Sequence, residues 1–129
     1  MRYMMLIYSQ ETESGPAPED VERIKAAHWA LIEEASRKGV LRGAEPLAPT
    51  STATTVRMQN GAMLITDGPF AETKEQLAGY YILDCDNLDQ AIEWAAKIPT
   101  GCKGGEGSIE IRPIPEMPGL TRGSQPPNV

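Results

Sequence analysis

Residues 79–99 read GYYILDCDNLDQAIEWAAKIP, a strand, a cap and a helix in immediate succession. Tyr80 and Ile82 alternate with Tyr81 and Leu83, so both faces of the strand are apolar and both need a cover. Asn87 stands where a helix N-cap belongs, with Gln90 three residues on as its capping-box partner. Leu88, Ala91, Ile92 and Ala95 form the stripe expected to face inward, and Pro99 stops the helix.

The same order opens the chain. In RYMMLIY (residues 2–8), Tyr3, Met5 and Ile7 alternate with Met4, Leu6 and Tyr8, again apolar on both faces. Pro18, Glu19 and Asp20 then begin a helix, where proline and acids suit the exposed N–H groups of the first turn. Val21, Ile24, His28, Leu31 and Ala35 recur at intervals of three and four and define its inward face. Arg37 and Lys38 lie in the last turn, and Gly39 ends it. VLRGAEPLA reads as a short strand or extended edge. TATTVRM and AMLIT flank QNG, and Asn-Gly is the dipeptide a tight hairpin turn of positive φ favours. ETKEQ after the DGPF corner reads as a short helical turn, TGCKGGEG as a loop and SIEIRPI as the last strand.

The resulting order, β-α-β, hairpin, β-α-β, predicts an α+β, ferredoxin-like βαββαβ fold with an inserted β-hairpin. Residues 1–114 form the expected domain and 115–129 a Pro/Gly-rich tail. Two crossover helices cover only one face of such a sheet. The other face, equally apolar, predicts a homodimer with sheets packed face to face.

Composition narrows the function. The chain has 129 residues, 40% hydrophobic and 23% charged, as expected of one soluble domain. A formal net charge of −6 argues against nucleic acid and against an anionic membrane surface. MMLIY, the longest apolar run near the start, is too short to span a bilayer and lacks a cleavage site, so a cytoplasmic location is expected. Cys85 and Cys102 make neither a disulfide framework nor a metal spacing. A lone histidine is too little for zinc, TGCKGGEG lacks the P-loop spacing, and no GxGxxG occurs, so neither metal nor cofactor is expected.

The stretch DGPFAETKEQLAGYYILDCDNLDQAIEWAAKIP, with GSIEIRPI after it and RYMMLIY and ATTVRM before it, resembles the DGPF-domain branch of the YCII-related proteins. The likeness runs from Met1 to about Ile114. It implies a ferredoxin-like fold of the dimeric α/β-barrel type, and a gene setting beside extracytoplasmic-function sigma factors. Smaller members of the wider family carry a histidine eleven residues before the glycine that ends the first helix, a spacing that His28 and Gly39 keep. In those members an aspartate before the proline ending the second helix is proposed to pair with the histidine. Here Ile98 holds that position, so the dyad in that form is absent.

Several residues then have two readings. His28 is either a core-edge imidazole with one hydrogen bond or a general base or ligand anchor facing a cleft. Asp67 either builds the DGPF turn through its carboxylate or serves as the missing acid for His28, from its own subunit or across a dimer. Phe70 is expected to pin the corner into the core. Glu72 and Lys74 either tie the corner to a neighbouring strand or subunit, or put the Lys74 cation at a pocket rim for an anionic ligand. Gly79 marks a close backbone approach. Tyr3, Tyr8, Tyr80 and Tyr81 are expected mostly in the core, with one hydroxyl reaching a cavity and Tyr8 and Tyr80 as the ligand-binding candidates. Glu110 and Arg112 share a sheet face as a polar pair. Three functions fit: a cofactor-free enzyme acting on a small organic molecule through His28 and Asp67, a ligand-binding module, or a sigma-factor-associated adaptor without catalysis.

Overall fold

Strict alternation of buried and half-buried residues makes the first strand, β1 (Arg2–Glu11), the axis of the fold. The computed structural model describes residues 1–102 and 104–117, so most of the expected tail lies outside the described residues. After β1 come α1 (Pro18–Arg37), β2 (Leu41–Pro46), a single 3-10 turn (Thr50–Thr52), β3 (Thr54–Gln59) and β4 (Ala62–Asp67). The chain continues with β5 (Gln76–Asp84), α2 (Leu88–Ala95) and β6 (Gly104–Pro113). β1, β2, β5 and β6 form one antiparallel sheet in the order β2-β5-β1-β6, while β3 and β4 pair only with each other. The α+β order expected from the sequence is present, with the hairpin inserted between the two halves.

Both helices cover the same side of the sheet. Tyr3, Met5 and Ile7 of β1 join Tyr81 and Leu83 of β5, Leu31 and Ala35 of α1, and Ala91, Trp94 and Ala95 of α2 in one buried cluster. Met5 and Leu83 are wholly buried, each at 0% exposure. On α2 the expected stripe is rotated: Ala91 and Ala95 are buried, but Leu88 and Ile92 are exposed, and Trp94 and Ile98 take their places in the core. The rotation puts the larger indole inward, where it removes more apolar surface from water. Asn87 caps the helix through the Gln90 N–H, and Gln90 reaches back to the Asp86 N–H, one residue beyond the standard box.

The hairpin behaves differently. Asn60 and Gly61 take φ of 52° and 78°, the pair of positive values that the Asn-Gly signal predicts. The DGPF corner is closed from β3: Gly68 donates its N–H to Ala53 O, and Thr55 Oγ1 and Arg57 Nη2 donate to the carbonyls of Gly68 and Phe70. Asp67 therefore does not build the turn through its carboxylate, which has no hydrogen-bond partner among the described residues. Phe70 is not pinned in the core either, being 74% exposed. The reason is topological, because the hairpin and its corner stand off the four-stranded sheet and bring no core to the ring. Phe70→Ala should consequently change single-chain stability by no more than about 0.5 kcal/mol in urea unfolding at low protein concentration, as for a surface substitution.

The connector between corner and sheet is bent, and the helical turn expected over ETKEQ does not form. Thr73 Oγ1 donates to the Glu75 carbonyl and Gln76 donates to the carbonyls of Ala71 and Thr73, closing non-helical turns. The connector is fastened to β6 by the Ser108 hydroxyl, which donates to Glu75, and by an exposed Lys74–Glu106 pair at 3.8 Å. β6 itself begins inside the supposed Gly-rich loop. Its glycines permit the approach: a Cβ on Gly107 would lie 2.7 Å from Tyr8 O, and one on Gly105 2.8 Å from Gln10 O.

Candidate functional site

Between α1 and the sheet lies a cavity of about 530 Å³, a size that suits a small organic molecule. Ile7, Ile32, Ala44 and Ala78 supply apolar wall. Lys25, His28, Glu45, Tyr81 and Cys102 bring polar groups, and Trp29, 63% exposed, stands beside His28 on α1.

Two local features open this space. The β1–β5 register slips between Ile7, opposite Gly79, and Tyr8, opposite Leu77, leaving Ala78 as the extra residue of a bulge. Ala78 is buried with the helix-side core rather than on the opposite face. Gly79, as expected, marks a close approach: a Cβ there would sit 2.8 Å from the Glu45 carbonyl oxygen. Without a side chain at Gly79, β2 can close on β5 and carry Ala44, Glu45 and Pro46 to the rim.

His28 occupies the helix side, half-buried, with its Nδ1 2.7 Å from the Tyr81 hydroxyl oxygen and the two rings roughly stacked, 23° apart. Burial lowers the His28 pKa from 6.5, because the charged ring loses water. Burial also pushes the Tyr81 phenol up to about 12. Both groups are therefore neutral near pH 7. Ile98 is a buried core residue.

The sequence matches the YCII-related domain over residues 1–118. This chain belongs to the YCII-related family. A relative, an uncharacterized protein of Rhizobium meliloti (strain 1021), is 37% identical over 115 residues, which is 88% of this chain and 92% of that protein. Neither match carries an assigned reaction. Among the described residues of this YCII-related chain, no helix is long and apolar enough to cross a membrane.

The structure brings together only part of the expected site. His28 lines the cavity. Tyr80 borders it, but as the cross-strand partner of Leu6 it belongs to the sheet face away from the helices. Tyr8 pairs with Ser108 on that same far face and does not line the cavity. Lys74 is on the connector, paired with Glu106, and Asp67 is exposed at the end of β4; neither is among the lining residues. Of the four tyrosines considered, Tyr81 is the one whose hydroxyl meets His28, while Lys25 and Trp29 are the residues that sequence reasoning missed. Lys25 could have been found three residues before His28 on the same helical face, and Tyr81 singled out from its alternation with the inward Leu83.

Proposed function

We propose that this protein is a small-molecule-binding homodimer whose ligand enters the cavity between α1 and the sheet, against His28. The observation that carries the reading is a largely apolar cavity of about 530 Å³ with one hydrogen-bonded polar pair, His28 and Tyr81, in its wall. The catalytic alternative, proton transfer by His28 with Asp67, requires Asp67 from a second copy, since in its own chain it does not line the cavity.

Dimerisation, of the α/β-barrel type seen in the DGPF branch that this sequence resembles, is supported by the uncovered sheet face. Met4, Leu6, Tyr8 and Ile82 lie there half-buried, next to no helix. A protein-contact role is favoured separately by the hairpin, where Val56, Met58, Met63 and Ile65 are exposed on one side. An isolated two-strand hairpin is marginal in water, so a partner surface would stabilise it.

The test is a fragment screen followed by two-dimensional NMR with labelled methyl groups. Shifts concentrated on Ile7, Ile32, Ala44 and Ala78, with a change in Trp29 emission that Trp29→Phe removes, are the expected result. A library producing no hit at these residues would show the cavity to be incidental packing.

A further inference from the structure

We infer that the cavity takes a largely apolar monoanion, most simply a carboxylate, held by an Nε2–H donor that Tyr81 fixes on His28 and by the Lys25 ammonium. The inference rests on the binding role proposed above and names the chemical class of the ligand.

The first step is the placement of protons. A neutral imidazole has one N–H and one bare nitrogen, and the partner of one nitrogen decides the state of the other. Among the described residues, the Tyr81 hydroxyl has His28 Nδ1 as its hydrogen-bond partner. Tyr81 is 2% exposed, so its phenolic proton needs an acceptor close by. If Nδ1 carried the proton and donated to the phenol oxygen, the phenolic O–H would have no acceptor among the described residues. The opposite arrangement satisfies both groups, with Tyr81 Oη–H donating to a bare Nδ1. The ring proton then resides on Nε2.

That nitrogen is free to act. It has no protein partner among the described residues, and no described buried polar side-chain atom lacks a hydrogen bond, so Nε2 is open to cavity or solvent. A carboxylate opposite Nδ1 would have accepted its proton and left Nε2 as a base. A tyrosine there does the reverse, and the cavity meets a donor instead.

The second step is charge. Lys25 precedes His28 by one helical turn, lines the same cavity and forms no ion pair among the described residues. An N–H donor and an ammonium on one wall match an oxyanion. Glu45 lines the β2 side of the cavity, where it repels a second negative charge and so favours a monoanion. Tyr80, Tyr81 and Cys102 also line the cavity, and none of them adds a cation. The remaining wall, Ile7, Ile32, Ala44 and Ala78, suits a hydrocarbon or aromatic body.

The test has two readouts. His28 is the chain's one histidine, so ¹⁵N-labelled protein reports its tautomer without assignment ambiguity. Near neutral pH the proton is expected on Nε2, and Tyr81→Phe should erase that preference. In parallel, benzoate, phenylacetate and naphthoate are titrated against benzyl alcohol, phenylethanol and naphthylmethanol, followed by Trp29 emission. The carboxylates should bind at least about tenfold tighter than the matching alcohols, and Lys25→Met should remove most of that margin. Lys25 is exposed, so this variant keeps its fold whatever Tyr81→Phe does to stability. A proton on Nδ1, or equal binding of acids and alcohols, overturns the inference and leaves the cavity's binding role standing. Binding of neither series, with an empty fragment screen, overturns both.

Discussion

Ile82→Glu is expected to convert the proposed homodimer to monomer while leaving the fold of each chain intact. Ile82 sits centrally on the uncovered face, with Met4 opposite on β1 and Gly43 opposite on β2. In a single chain it is half-buried, so a carboxylate there can still reach water. Between two sheets it would be an unpaired buried charge, costing about 3 kcal/mol or more, over a hundredfold in dissociation constant. Sedimentation velocity across a concentration series measures the shift, and circular dichroism checks the fold. Wild-type protein that stays monomeric at tens of micromolar would remove the face-to-face dimer altogether.

Met5→Glu should have the opposite profile. Met5 is 0% exposed, between Tyr81 on β5 and Ile111 on β6, on the helix-covered side. No cation lies in that cluster to pair with a carboxylate. The side chain would be buried charged or neutralised by a strongly raised pKa, and either cost is large against a typical stability of about 5–15 kcal/mol. Loss of the cooperative thermal transition and of near-ultraviolet circular dichroism is the expected outcome. A folded Met5→Glu beside an unfolded Ile82→Glu would mean that the two faces have been assigned the wrong way round.

These predictions depend on a face assignment that was only half legible in the sequence: strand period separates Met5 from Met4, but it does not say which of the two faces the helices cover. The limits of α1, the Asn-Gly turn and the Asn87 cap were legible, since each is decided by residues next to one another. What failed depended on distant surroundings. Nothing in DGPF says whether the corner lies over a core, so Phe70 looked buried. Glycines at 104, 105 and 107 signal a loop unless the neighbouring backbone of β1 is known to lie within contact. Met5 and Tyr81 can be placed on one face only once the pairing of β1 with β5 is known.

The site divides along the same line. His28 was readable as an inward polar residue on an apolar stripe. Its partner was not, because Tyr81 is separated from it by 53 positions and a search for an acid points to Asp67 instead. The vacancy left by Ile98 suggested a missing acid, whereas a phenol fills the role. An acid and a phenol both satisfy an imidazole nitrogen, and they leave opposite chemistry at the other one.

The hairpin is hydrogen-bonded to no strand of the main sheet, and this frees its length from the rest of the molecule. Lengthening or trimming β3 and β4 by two residues each would leave the four-stranded register untouched and keep Val56, Met58, Met63 and Ile65 on one side. A change of one residue in each strand would swap that side from the tip outward. The arm can therefore grow or shrink in steps of two while the body stays as it is, which makes reach an adjustable property of this architecture.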